Sequence, residues 1–250
     1  MKTRIFCGPT LARTEIERRL PSVSLAGPVA WGDVLQALDE GIERIAIVDG
    51  FFDQQQPVWH KEILFALHSG VEVLGAASMG ALRAVELSPF GMRGVGKIFE
   101  LYRDGWLERD DEVTVVHAPA AAEYRALSDA LVNMRVTFRK AAREAIISEA
   151  FAEYCANLAE QLFYAERTYQ AVLSVAARDA SKSSEAQRLS AWLSDESNRV
   201  DQKRADALEL LEVLASPPLQ SARRAFSFAS TDAWARFVVA RRAPASGNAQ

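Results

Sequence analysis

The run Val71-Glu72-Val73-Leu74-Gly75-Ala76-Ala77-Ser78-Met79-Gly80-Ala81-Leu82-Arg83-Ala84-Val85-Glu86 constrains the fold more than any other stretch. A short apolar strand stops at small residues, presents one serine and turns at once into a helix. Such a corner leaves backbone N–H groups unpaired at the positive end of a helix, where an anion or a reactive oxygen is stabilised. The neighbouring text repeats the pattern. Residues 4–7 form a short strand before Gly8-Pro9-Thr10, and residues 44–50 form a nearly continuous apolar strand ending in Asp49-Gly50. Continuous apolar runs suit strands covered on both faces, as in parallel sheets.

Helical patterns fill the gaps. Thr14 and Glu17 have capping-box spacing, Asp33 is placed to cap a helix that closes at Gly41, and a third helix begins near Val58 and ends before Gly70. The helix after Ser78 runs to about Leu87, where Ser88-Pro89 stops it. The expectation is an α/β fold: a doubly wound, mostly parallel, Rossmann- or flavodoxin-like sheet. A glycine-rich stretch (Gly91, Gly94, Gly96) and a helix over residues 97–103 follow, and residues 112–117 alternate like a last strand.

Beyond Pro119 alanine, arginine, glutamate and leucine dominate and apolar residues recur at helical spacing, so the C-terminal region is expected to be all helix. The division expected is residues 1–118 as an α/β domain, 119–242 as a helical region and 243–250 as a disordered tail. Ser181 to Ser184 reads as an exposed connection, and Pro217-Pro218 as a firm break.

Composition narrows the function. The 250 residues carry a net charge of −4, against a dedicated nucleic-acid binder, which needs a basic face. Cys7 and Cys155 are the only cysteines, so neither a disulfide framework nor a metal site is indicated. Without a signal-like start or a membrane-length apolar run, a soluble cytoplasmic protein with no membrane partner is expected.

In open α/β sheets ligands bind beyond the carboxyl ends of the strands. Residues 7–10, 49–52 and 76–80 should therefore share one cleft. Ala76-Ala77-Ser78-Met79-Gly80 is a variant of the nucleophile elbow G-x-S-x-G, with alanine for the first glycine. The Met79 N–H, with Gly8 or Gly50, would supply oxyanion donors. A serine needs a base, and His60 is the expected one, oriented by Asp49 as in a triad. Glu62 and Glu86 are substitutes for the acid, and Lys61 would serve in a Ser-Lys arrangement. Arg83 or Arg103 could grip a carboxylate or phosphate, and Cys7 could carry sulfur. Each has a plainer reading: Ser78 as an N-cap, His60 as a satisfied helix residue, Asp49 as turn chemistry, Cys7 as strand core and the arginines as salt-bridge partners.

The sequence resembles the TfuA-like family in the runs at residues 5–11, 48–52, 58–64, 75–84 and 91–105, and the likeness covers roughly residues 4–118. The resemblance implies a role in making thioamide-bearing peptide backbones beside a YcaO-type ATP-dependent enzyme, which activates a backbone amide so that sulfur replaces oxygen. It also implies a small sulfur-carrier protein ending in a thiocarboxylate as donor, and contact with the precursor peptide only indirectly. No cofactor is expected. Two functions follow: a hydrolase-like accessory enzyme in which Ser78, His60 and Asp49 cleave the carrier thiocarboxylate, or a non-catalytic module that docks on the YcaO-type enzyme and activates it. A free-standing esterase is a third.

Overall fold

Five short strands lie side by side in parallel. In the computed structural model, which describes residues 1–53, 55–217 and 226–242, they are β1 (Thr3–Phe6), β2 (Ser24–Ala26), β3 (Arg44–Ile47), β4 (Glu72–Ala76) and β5 (Arg93–Val95), in the order β2-β1-β3-β4-β5. All pairings are parallel. Between them run α1 (Arg13–Arg19), α2 (Asp33–Asp39), α3 (His60–His68) and α4 (Met79–Leu87). This is the doubly wound α/β sheet expected, with flavodoxin-like strand order. After β2 the chain crosses over β1 to form β3, so the topological switch lies between β1 and β3.

Alternating strand side chains build two cores. Ile45, Ile47 and Val73 meet Val34, Ala37, Ile63, Ala66 and Ala84 from α2, α3 and α4. Ile5, Ala46, Leu74 and Ala76 face the other way, against Ile16 of α1 and Ala207, Leu210, Leu211 and Leu214 of α10 (Gln202–Ala215). Burying each such leucine contributes about 1.5–3 kcal/mol, so a helix from the far end of the chain completes this face. Polar contacts fix its position. Arg44 Nη1 donates to the Leu214 carbonyl at 3.0 Å, Ile98 N donates to Asp206 Oδ2 at 2.6 Å, and Arg204 pairs with Glu15 at 2.7 Å.

The rest of the C-terminal region is helical. α5 (Lys97–Arg103) packs Ile98 and Tyr102 on Ala81 of α4. α6 (Leu131–Arg143), α7 (Glu149–Gln161), α8 (Tyr169–Ala176) and α9 (Ser183–Leu193) share a separate core through Met134, Phe138, Phe151, Cys155, Val172 and Leu189. α11 (Asp232–Arg242) lays Trp234 and Phe237 against Leu35, with Trp31, Trp59 and Phe65 around them. Pro218 and the expected tail at 243–250 lie outside the described residues. Among the described residues no helix is long and apolar enough to cross a membrane.

Several local expectations are corrected. Residues 112–117 are not a strand: a 3-10 turn at Asp110–Glu112 leads into a loop over the end of the sheet. Side chains take part of its backbone, Lys203 the Val113 carbonyl at 2.8 Å and Ser128 the Val116 N–H at 2.9 Å, and the rest pairs only locally, in an isolated antiparallel bridge between His117 and Ala126 that does not join the sheet. Two edge strands, β2 and β5, stand where none was expected. The Thr14–Glu17 box does not form, because α1 starts after Ala12 with no side-chain cap. Gly32, at φ +92°, caps α2, and Asp33 instead accepts the Ala30 N–H at 2.8 Å.

Candidate functional site at the sheet switch point

The serine corner is tight because its glycines leave no room. A Cβ on Gly80 would lie 1.8 Å from the Ile47 carbonyl oxygen, and one on Gly75 would lie 2.0 Å from the Gly80 oxygen. Gly80 N donates to Val48 O at 3.2 Å, which seats the first turn of α4 on the end of β3. Between strand and helix, Ala77 adopts φ +66° and Ser78 N donates back to Ala76 O at 2.8 Å. That is a γ-turn with a left-handed centre, a strained geometry for a residue with a side chain. Ser78 occupies the N-cap position of α4 without capping it, so the N-cap reading is not realised by the hydroxyl. Its Oγ donates instead to the Val113 carbonyl at 3.4 Å, and the residue is 3% exposed.

Asp49 lies two residues beyond β3 at the switch point and ties that end of the sheet to the turn after β1. Its carboxylate accepts Gly8 N at 2.9 Å, Thr10 N at 3.1 Å and Thr10 Oγ1 at 2.7 Å. The Cys7 thiol lies 3.6 Å away and Lys203 Nζ 3.9 Å away. Asp49 therefore does not orient His60. Asp49, Gly50, Ser78 and Lys203 line a cavity of ≈ 30 Å³ roofed by Thr114 to His117. That volume holds a water or two.

Lys203 is the residue that sequence reasoning missed. It is 4% exposed, lies on α10 and donates to the Val113 carbonyl that Ser78 also faces. Burial pushes its pKa down, against the pull of Asp49, Asp201 and Cys7. The signal was present in the sequence: Lys203 precedes Ala207, Leu210 and Leu214 at helical spacing, which puts a lysine on an apolar stripe.

The other expected residues are dispersed. His60 is not beside Ser78: its Nε2 pairs with Glu86 Oε2 at 2.7 Å on an exposed surface, because α3 presents its first residue outward across α4. Arg83 joins the same carboxylate at 2.8 Å, and Arg83 and Glu86 border an open groove with Phe52 and Glu108 to Asp111. Lys61 donates to Thr231 Oγ1 at 3.0 Å, away from the cavity. Glu62 is fully buried and accepts Gly32 N at 2.9 Å and Trp59 N at 3.2 Å, holding two helix starts together. Gly8 has given its N–H to Asp49, so it is not an oxyanion donor. Met79 N–H and Gly50 N–H have no acceptor among the described residues. The Met79 side chain packs on Gly50, where a Cβ would lie 2.7 Å from Met79 Cγ.

Cys7 is half-buried, and desolvation together with Asp49 pushes its thiol well above the ordinary range. That environment opposes a resting thiolate. Arg103 pairs with Asp104 at 2.8 Å. Among the described residues no group of three or more His, Cys, Asp or Glu side chains is arranged to hold a metal ion.

A family model described as TfuA-like protein matches residues 49–168, a span that includes Asp49, Ser78 and Val113 and ends before Lys203. No curated protein matches the chain.

Proposed function

The chain belongs to the TfuA-like family, and on that premise we propose that it is an accessory protein of peptide-backbone thioamide formation that frees sulfur for a YcaO-type partner. Ser78 is the nucleophile, and a carrier-protein thiocarboxylate is the donor. The serine oxygen bonds to the thiocarbonyl-bearing carbon, the carbon–sulfur bond breaks, and water then hydrolyses the acyl-serine. The balance is thiocarboxylate plus water giving carboxylate plus hydrogen sulfide. Met79 N–H and Gly50 N–H are the donors for the developing oxyanion.

One observation carries this reading. The strained corner at Ala77 holds a buried serine hydroxyl, not used as a cap, at the carboxyl end of the sheet beside the switch-point carboxylate. A structural serine there would gain more by capping α4, by about 1 kcal/mol. The experiment supplies thiocarboxylated carrier protein and measures sulfide. Ser78→Ala should bind the YcaO-type partner as the wild type does and release no sulfide above background. Undiminished release by Ser78→Ala overturns the reading.

The closed cavity favours a second reading, in which the protein docks on the YcaO-type enzyme and activates it without chemistry of its own. The thioamidation reaction would then still need this protein when sulfide is supplied directly. Under the first reading added sulfide bypasses it.

A further inference from the structure

We propose that the groove along the outer face of α4 is the dock for the carrier protein's C-terminal tail, an inference that rests on the acyl-transfer reading above. The cavity at Ser78, at ≈ 30 Å³, has no room for a length of chain, so the tail behind the reacting group must lie outside it. A groove of ≈ 510 Å³ adjoins that cavity, and Phe52 lines both. Met79, Leu82, Arg83 and Glu86 form one wall of the groove at i, i+3, i+4 and i+7, a single face of α4, and the loop from Glu108 to Asp111 forms the other. From Glu86 back to Met79 the stripe is about 10 Å long, the reach of about three extended residues. It ends at the residue next to Ser78.

Polarity sets the direction of the tail. The start of α4 is the positive end of the helix, and Met79 N–H has no acceptor among the described residues. An anionic C-terminus is favoured there, which puts the body of the carrier toward Glu86. That side is acidic, since Glu86, Glu108, Asp110 and Asp111 outnumber Arg83 and Arg109 along the groove. Glu86 is held by His60 and Arg83, and Asp111 by Arg109 and Arg167. Glu108 and Asp110 are exposed, and among the described residues their carboxylates have no partner. The carrier surface beside its tail is therefore basic, so that its charge complements this rim.

Arg83 supplies recognition of the tail itself. Its Nη1 donates to Glu86 at 2.8 Å, but its Nε is buried with no acceptor. A buried donor left unpaired is unfavourable, and a main-chain carbonyl of a tail lying along α4 would satisfy it. Such a contact suits any tail sequence, whereas the two free carboxylates select the body that follows.

The test uses the full chain, thiocarboxylated carrier protein as substrate, and a fluorophosphonate as a reporter of Ser78 nucleophilicity. Glu108→Lys combined with Asp110→Lys reverses two exposed charges, and Arg83→Lys keeps a cation for Glu86 while removing the Nε donor. Melting curves establish that each variant is folded. The double variant should raise KM for sulfide release by about tenfold or more with kcat little changed, the gap should narrow as salt is added, and fluorophosphonate labelling of Ser78 should proceed at the wild-type rate. Arg83→Lys should raise KM by about three- to tenfold, and added salt should not close that gap. A folded double variant with KM within about twofold of wild type, or with Ser78 labelling slowed in step with sulfide release, overturns the dock. Unchanged KM with lost binding of the YcaO-type enzyme makes the groove that partner's seat and overturns it equally. If Ser78→Ala itself releases sulfide normally, the acyl-transfer reading fails and the dock falls with it; if release needs Ser78 and the double variant keeps its KM, the dock alone is wrong.

Discussion

Two polar clusters flank α4, and they differ in nearly everything that decides whether charge can do chemistry. At its start, Ser78, Asp49 and Lys203 are each no more than 4% exposed and meet in a cavity with room for little more than a water. On its outer side, His60 and Glu86 pair at 2.7 Å with more than two-fifths of each side chain in solvent. By residue type the outer cluster is the more suggestive, with a histidine, a carboxylate and an arginine. By environment it is ordinary, since exposed ion pairs contribute little and solvent screens them. The lesson is that the same groups become chemically useful where water is excluded and backbone dipoles are fixed.

Substitutions can break this contrast. The largest stability effect should come from Asp49→Ala, which strands two N–H groups, a hydroxyl and a buried ammonium. Removing one partner of a buried charge network costs about 3–5 kcal/mol; urea denaturation showing under 1 kcal/mol would mean that the switch point is as tolerant as the outer cluster. Gly80→Ala comes next. Its Cβ would collide with the Ile47 carbonyl, and overpacking of this kind costs about 1–3 kcal/mol, with Ser78 displaced and fluorophosphonate labelling lost even in the folded fraction.

Glu62→Gln should cost about 1–3 kcal/mol at neutral pH, because two helix starts lose a charged acceptor. The pH dependence has a definite sign. Burial holds the Glu62 carboxyl above its ordinary value of 4.5, although the N–H groups of Gly32, Trp59 and Leu35 pull it back. A raised carboxyl in the folded state contributes stability below the unfolded value and loses it as pH rises through the folded one. The wild type should therefore gain on Glu62→Gln as pH falls toward 4.5 from above. Parallel curves for the two proteins would contradict this.

The smallest effect is expected at the outer cluster. His60→Ala should change stability by under about 1 kcal/mol and sulfide release by less than about twofold. A hundredfold loss of activity would make the histidine a partner of Ser78 in spite of its place on the outer surface.

The distribution of these residues explains what could be read from the chain alone. Contiguous signals survived: the apolar runs of β1, β3 and β4, the serine corner, and the convergence of residues 7–10, 49 and 76–80 at one end of the sheet. Edge strands did not, because β2 and β5 are three residues each and β5 contains a glycine, too short for a period-two pattern. The alternation at 112–117 misled because the segment pairs only with its own neighbour, in an isolated bridge between His117 and Ala126, and never joins the sheet. His60 was placed near Ser78 from position in the fold, but the rotation of a helix decides which way its first residue points, and that is set by the packing of Ile63 and Ala66 on the sheet. Lys203 reaches the site from a helix far along the chain, where only a cation on an apolar stripe betrayed it.

The central claim is that Ser78 forms an acyl intermediate on the way to sulfide. It is tested most directly by mixing the protein with thiocarboxylated carrier, without the YcaO-type partner, and following sulfide while the Ser78 peptide is examined by mass spectrometry after acid quench. The account predicts sulfide release with an ester on Ser78, both absent in Ser78→Ala. Equal sulfide release by the wild type and Ser78→Ala, with no ester on Ser78, would contradict it.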